Sequence, residues 1–324
     1  MTAGGGHLVA LDLDKTLIFS RRSLLPPAGT VEPALVEPAL VEPALVEPAL
    51  VEPALVEPAL VEPALVEPAL VEPALVEVEL VEVERLDGAP LSFATARELA
   101  LLAELHRRAV VVPVTTRTLA QYRRVDLGIR PRYAIAANGG HLLVDGAPDP
   151  AWAAGIAAQL AAAGAPLAEM LALAERFAAG GWARTVRAAD DLFVYLVAHD
   201  RPAIPDLTGV TAAARAAGWS VSVQGRKVYL VPTVLTKQRA VDEVVRRAGT
   251  ATLLAAGDSV LDIPMLLAAD AAVRPAHGEL HELGWSAPNV AVTADAGAVA
   301  GEQVLAALLD RVRADRPDPT PAVP

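Results

Sequence analysis

Short apolar runs alternate along this chain with longer stretches in which Ala and Leu recur at helical spacing. The runs His7–Leu13, Ala109–Val114, Tyr133–Ala137, Thr250–Ala256, Ala271–Val273 and Val290–Val292 predict strands. The stretches Ala94–Arg108, Thr236–Ala248 and Ile263–Ala269 predict helices. Such alternation predicts an α/β chain built on a Rossmann-like parallel sheet with helices on both faces. The segment VEVERL-DG-APLSF predicts a β-hairpin turning at Asp87-Gly88.

Residues 31–75 interrupt this pattern with nine copies of VEPAL, followed by VEVEL and VEVER to Arg85. A proline every fifth residue deletes helix hydrogen bonds and clashes with the preceding turn, so a continuous helix is excluded. An odd period sends each residue type to opposite strand faces in successive copies, which defeats a half-buried sheet. The repeat therefore reads as an extended or disordered spacer, inserted without a role of its own or displayed to a protein partner.

Composition removes several classes of function. Without Cys there are no disulfides, thiolate nucleophiles or Cys-zinc sites. No apolar run approaches the ~18 residues of a membrane span, and the first residues lack a secretory signal's basic and apolar regions, so a cytoplasmic location is expected. The net charge of −12 belongs to the repeat: without the thirteen Glu of residues 31–84 it becomes +1. Neither nucleic acid nor an anionic membrane is an expected partner.

The chemistry-bearing residues follow the predicted strands. Asp12 and Asp14 end the first; two carboxylates so close repel, unless a cation or a division of roles separates them. Thr115, Thr116 and Arg117 end the second, where hydroxyls and a guanidinium can meet a phosphoryl oxygen or cap a helix. Asn138 ends the third. Lys237 opens a predicted helix, where a cation opposes the helix dipole unless an anion lies near. Asp258 and Asp262 bracket a strand-to-helix turn and, with Asp12, form the hard-oxygen set that Mg²⁺ prefers. In open α/β sheets such strand ends converge on one crevice.

Asp-x-Asp-x-Thr, a strand-end Thr, a Lys and Gly-Asp-x-x-x-Asp, in this order, resemble the motif series of the haloacid dehalogenase superfamily. The segments TTRT, NGG, LTKQ and GDSVLDIPML look most like its Cof-type and sucrose-phosphate-phosphatase-like branch, over residues 1–20 and about 86–310. Thr116, Ser259 and Leu261 depart from that branch, which commonly has Gly, Gly and Asn there. The resemblance implies Asp12 as nucleophile forming an aspartyl-phosphate, Asp14 as acid and base, and Thr115 and Lys237 on the phosphoryl oxygens. It also implies Mg²⁺ held by Asp12, Asp258, Asp262 and the backbone carbonyl of Asp14. Thr116, Arg117, Asn138 and Arg226 complete the expected set as substrate contacts.

The 98 residues between Asn138 and Lys237 exceed one strand-helix unit. They contain predicted strands at Ala183–Ala188, Leu192–Ala198, Ser220–Gln224 and Lys227–Val231, an inserted α+β domain at the position of the C2 cap in the resembled superfamily. Residues 1–30, 86–143 and 228–312 then form the core, 144–227 the cap, 31–85 the repeat running into the hairpin, and 313–324 a disordered tail. His277 and His281 have the i, i+4 spacing of metal ligands but no Glu between them as in HExxH, so a structural role is expected. The function expected is Mg²⁺-dependent hydrolysis of small sugar- or nucleotide-like phosphate monoesters. A phosphomutase, or an idle core displaying the repeat, remain the alternatives.

Overall fold

The computed structural model describes residues 6–20, 23, 24 and 79–315; the VEPAL repeat lies outside them. The chain opens with β1 (His7–Asp12), a short β2 (Phe19–Ser20) and the hairpin β3 (Leu80–Leu86) and β4 (Ala89–Thr95). Then follow α1 (Ala96–Arg108), β5 (Val110–Val114), α2 (Leu119–Tyr122), β6 (Tyr133–Ala136), β7 (His141–Val144) and β8 (Ala147–Pro148). A second unit comprises α3 (Pro150–Ala162), α4 (Leu167–Ala178), β9 (Ala183–Ala189), β10 (Phe193–Ala198), α5 (Thr208–Ala216), β11 (Trp219–Gln224) and β12 (Lys227–Pro232). The chain returns through α6 (Lys237–Ala248), β13 (Thr252–Ala256), α7 (Ile263–Ala268), β14 (Ala271–Arg274), α8 (Glu279–Glu282), β15 (Val290–Val292) and α9 (Ala298–Asp315).

The large sheet has the order β15-β14-β13-β1-β5-β6-β7-β8. It is parallel through β6, and β7 and β8 add an antiparallel edge. Alternation along β1 explains its central place, since successive side chains face opposite sides. Val9 and Leu11 pack with Leu102 and Leu105 of α1 and Leu305, Leu308 and Leu309 of α9. Leu8 and Ala10 pack with Val241 and Val244 of α6 and with Met265 and Leu266 of α7. Each fully buried Leu stabilises this arrangement by about 1.5–3 kcal/mol relative to exposure.

The inserted unit is a four-stranded antiparallel sheet, β11-β12-β10-β9, packed on its own helices. Its apolar cluster also takes in Ala137, Leu235 and Leu261 of the core, so the two units share packed surface. The strand register puts Lys227–Pro232 in the smaller sheet, so the return to the core falls after Pro232 rather than at the expected residue 228. At its other end, β8 keeps Ala147 and Pro148 with the core sheet, past the expected boundary at 144.

The hairpin turns at Asp87-Gly88, both at positive φ (51° and 79°), as a two-residue turn between right-twisted strands requires. It forms a small sheet with β2. Helix α1 begins at Ala96, not Ala94, because Ala94 and Thr95 still pair with Val81 and Leu80. Thr95 then caps the helix through a reciprocal box with Glu98. Of the expected tail 313–324, residues 313–315 belong to α9, which runs through Asp315 with Val312 buried and Arg313 paired to Glu104 at 2.8 Å, and the rest lies outside the described residues. No single described helix is long and apolar enough to cross a membrane.

Candidate active site

Asp12 ends β1, between β5 and β13, where connections leave to opposite sides of the sheet. Around it gather Lys237 from the first turn of α6 and Asp258 and Asp262 from the loop after β13. The Lys237 ammonium donates to Asp12 Oδ1 and to Asp262 Oδ1, each at 2.5 Å, and is 1% exposed. Thr16 donates to Asp12 Oδ2 at 3.3 Å. Ser259 donates both its amide and its hydroxyl to Asp262 Oδ2, at 3.0 and 2.7 Å.

One carboxylate oxygen from each of Asp12, Asp258 and Asp262 lies within 4.8 Å of the others. Burial pushes Asp12 up to about 7; Lys237 pulls it down and Asp262 pushes it up. Burial, then Asp12 and Asp262, hold Asp258 well above the ordinary carboxylate range. Three buried carboxylates thus face one ammonium, and Asp258 Oδ2 is buried with no hydrogen-bond partner. An all-oxygen donor set with surplus negative charge and an orphaned buried oxygen fits a hard divalent cation such as Mg²⁺.

Asp14 stands apart from this group. Its carboxylate accepts two bonds from Arg117, from Nε and from one terminal nitrogen, both at 2.7 Å. Burial alone would raise Asp14, but the charge and hydrogen bonds of Arg117 hold it down to about 2. The other terminal nitrogen of Arg117 reaches Glu84 Oε2 at 2.7 Å, and Glu84 also accepts from Ser92 at 2.7 Å and Arg124 at 3.1 Å. Expected from sequence to meet a phosphoryl oxygen, Arg117 is instead occupied by two carboxylates, one from the hairpin.

The other expected residues divide. Thr115 is fully buried, and its hydroxyl accepts from the Arg117 amide at 3.1 Å. Thr116 is buried at the cleft described below. Asn138, in the left-handed region at φ 55°, donates to the Leu235 carbonyl at 2.8 Å and so seats the segment leading to Lys237. Gly139 completes that seat: at φ 99°, a Cβ there would lie 2.4 Å from the Thr236 carbonyl oxygen. The NGG segment therefore places α6. Arg226 donates to the His199 carbonyl at 3.2 Å. His277 lies between the Lys15 carbonyl and the Gly297 amide, at 2.7 and 3.1 Å, as a structural histidine.

A narrow cleft opens between the units. Thr116, Thr118 and Gln121 line it from the core, and Tyr195, Lys227 and Tyr229 from the inserted sheet. Lys227 was not singled out in the sequence; its one signal was a cation opening an otherwise apolar strand. Tyr229 beside it, and then Asp14, hold its ammonium above the ordinary lysine range against the effect of burial.

The sequence matches no family model and no curated protein. Among solved structures, the sucrose-phosphatase of Synechocystis sp. PCC6803, in complex with sucrose and phosphate, aligns with a TM-score of 0.52. The identity is 16%, over 67% of this chain and 91% of that one. The fold is the haloacid dehalogenase fold. A Thermoplasma acidophilum protein aligns at 15% identity, over 73% of this chain and 95% of that chain, with a TM-score of 0.48. A phosphatase of the haloalkanoate (HAD) enzyme superfamily from Bacteroides thetaiotaomicron aligns at 17%, over 67% and 87%, with a TM-score of 0.43. The haloacid dehalogenase fold puts the ends of β1, β5 and β13 at one crevice, which is where Asp12, Thr115 and Asp258 stand.

Proposed function

We propose that this chain is a Mg²⁺-dependent phosphohydrolase acting on small phosphate monoesters. The observation that carries the reading is the buried group of Asp12, Asp258 and Asp262 around Lys237, with one carboxylate oxygen left unpartnered. Asp12, Asp258 and Asp262 would hold the metal, which when bound offsets the charge of the phosphoryl group. An Asp12 oxygen forms the new bond to phosphorus as the ester P–O bond breaks, giving an aspartyl-phosphate. Water then attacks phosphorus, the Asp12–phosphorus bond breaks, and inorganic phosphate leaves. Lys237 and Thr115 stabilise the phosphoryl oxygens through both displacements.

Asp14 handles the protons. Ionised on Arg117, it is ready to take a proton from the hydrolytic water. Protonating the leaving oxygen in the first displacement requires Asp14 to carry a proton, and a phosphate dianion brought beside it favours that state by like-charge repulsion. The cleft favours a leaving group with acceptor oxygens for Lys227 and a ring to set against Tyr195 and Tyr229, as a sugar phosphate offers.

Phosphate release from a panel of sugar and nucleotide monophosphates tests this. Release is expected with Mg²⁺, lost on chelation, and abolished in Asp12→Asn. Lys227→Ala is expected to raise KM for sugar phosphates more than it lowers kcat. Turnover surviving in Asp12→Asn would assign the chemistry to another nucleophile.

A further inference from the structure

Glu279 opens α8, outside every motif singled out in the sequence, yet its carboxylate accepts three hydrogen bonds from two units of the molecule. Oε1 takes the Val223 amide at 2.7 Å; Oε2 takes the Ser222 hydroxyl at 2.7 Å and the Val260 amide at 3.0 Å. Ser222 and Val223 belong to β11, the edge strand of the inserted sheet. Val260 lies between Asp258 and Asp262. The segment carrying Glu279 is tied to the same loop twice more. Leu280 donates its amide to the Asp258 carbonyl at 2.9 Å, and a Cβ on Gly278 would lie 2.3 Å from Asp258 Oδ2. A neighbouring pair supports the joint: Arg201 of the inserted unit reaches Glu282 at 2.5 Å and the Gly225 carbonyl at 3.1 Å. A further carboxylate joint, Asp190 with the Leu119 amide and His141, touches no residue of the metal-site loop.

We propose that Glu279 is a positioning residue that couples docking of the inserted domain to the order of the loop holding Asp258 and Asp262. An acceptor-only carboxylate between donors from both sides holds each in place only while the other is seated. When β11 lifts away, Glu279 loses two of its three donors and is free to leave the Val260 amide. Closure of the cleft and organisation of the metal loop are then one event, and by linkage metal binding favours closure as much as closure favours metal binding. This rests on the reading of Asp12, Asp258 and Asp262 as a metal site.

The test uses the full chain without substrate. Mg²⁺ binding is measured by titration calorimetry for the parent, Glu279→Gln and Ser222→Ala. Because the chain has no Cys, spin labels on Arg107→Cys in α1 and Arg215→Cys in α5, both exposed, report the distance between the units. Glu279→Gln places an amide donor against backbone N–H groups, whereas Ser222→Ala removes one donor and touches nothing in the metal loop. Both variants are expected to bind Mg²⁺ about fivefold or more weakly and to gain a longer-distance population. In the parent, Mg²⁺ is expected to narrow the distance distribution. Ser222→Ala binding Mg²⁺ as the parent does, or distances indifferent to both variants and to Mg²⁺, would overturn the coupling with the metal site intact. A parent that binds no Mg²⁺ would instead overturn the metal reading, and the coupling with it.

Discussion

At the scale of single residues, Arg117 joins parts of the molecule that the sequence separates. Asp14 lies 103 positions away from it and Glu84 33 positions. The Arg117 side chain is 10% exposed and that of Glu84 fully buried, so removing the guanidinium leaves a carboxylate in the interior with fewer donors. Arg117→Ala is expected to lower unfolding stability by about 2–3 kcal/mol, read from the urea midpoint. Arg117→Lys should recover only part of this, because an ammonium cannot make the two-pronged contact with Asp14. A midpoint unchanged in Arg117→Ala would mean that the network contributes nothing to stability. Asp12, Asp258 and Lys237 were legible because each directly follows a strand or opens a helix that local patterning reveals. The occupation of Arg117 was not, since it depends on where the hairpin folds back.

At the scale of elements, the contact of α1 with α9 carries a pH-sensitive group. Glu98 belongs to the capping box of α1 and is 1% exposed, and its Oε1 has no hydrogen-bond partner. A Cβ on Gly301 of α9 would lie 2.3 Å from that oxygen, so the helices meet at the carboxyl. Burial holds Glu98 well above its ordinary 4.5; the Thr95 amide opposes this, and Glu302 adds to it. A carboxyl that stays neutral in the fold while the unfolded chain ionises costs stability as pH rises above about 4.5, until the folded group ionises as well. Measured against Glu98→Gln, which does not titrate, the parent should lose stability as pH rises above about 4.5, by at most about 1.4 kcal/mol per pH unit. A stability difference between the two that is flat over this rise would refute the buried neutral acid. The Thr95–Glu98 box was not singled out in the sequence, and its burial against α9 comes from packing between distant segments.

At the scale of the whole molecule, the repeat enters between β2 and the hairpin whose Glu84 reaches Arg117. The hairpin holds its own ends through the pairing of β3 with β4 and of β4 with β2. Loop-closure cost grows only with the logarithm of length, so some forty added residues cost on the order of 1–2 kcal/mol. Deleting residues 31–75 is therefore expected to leave phosphate release within a few fold of the parent. Loss of a bound protein partner with catalysis unchanged would instead assign the repeat an interaction role. A collapse of activity would show that the insertion supports the hairpin.

Apolar periodicity determined the sheet, its helices and the existence of an inserted domain, because a strand or helix announces its buried face within a few residues. The order of acids, hydroxyls and lysine pointed to one crevice for the same local reason, each group directly following a strand or opening a helix. Only the tertiary structure decided which of them touch. The pairing of Asp14 with Arg117, the arrival of Lys227 at the cleft and the clamp of Glu279 on Ser222 and Val223 depend on how separately folded units meet. Contacts across such a joint are made by residues whose neighbours in the sequence carry no record of the partner.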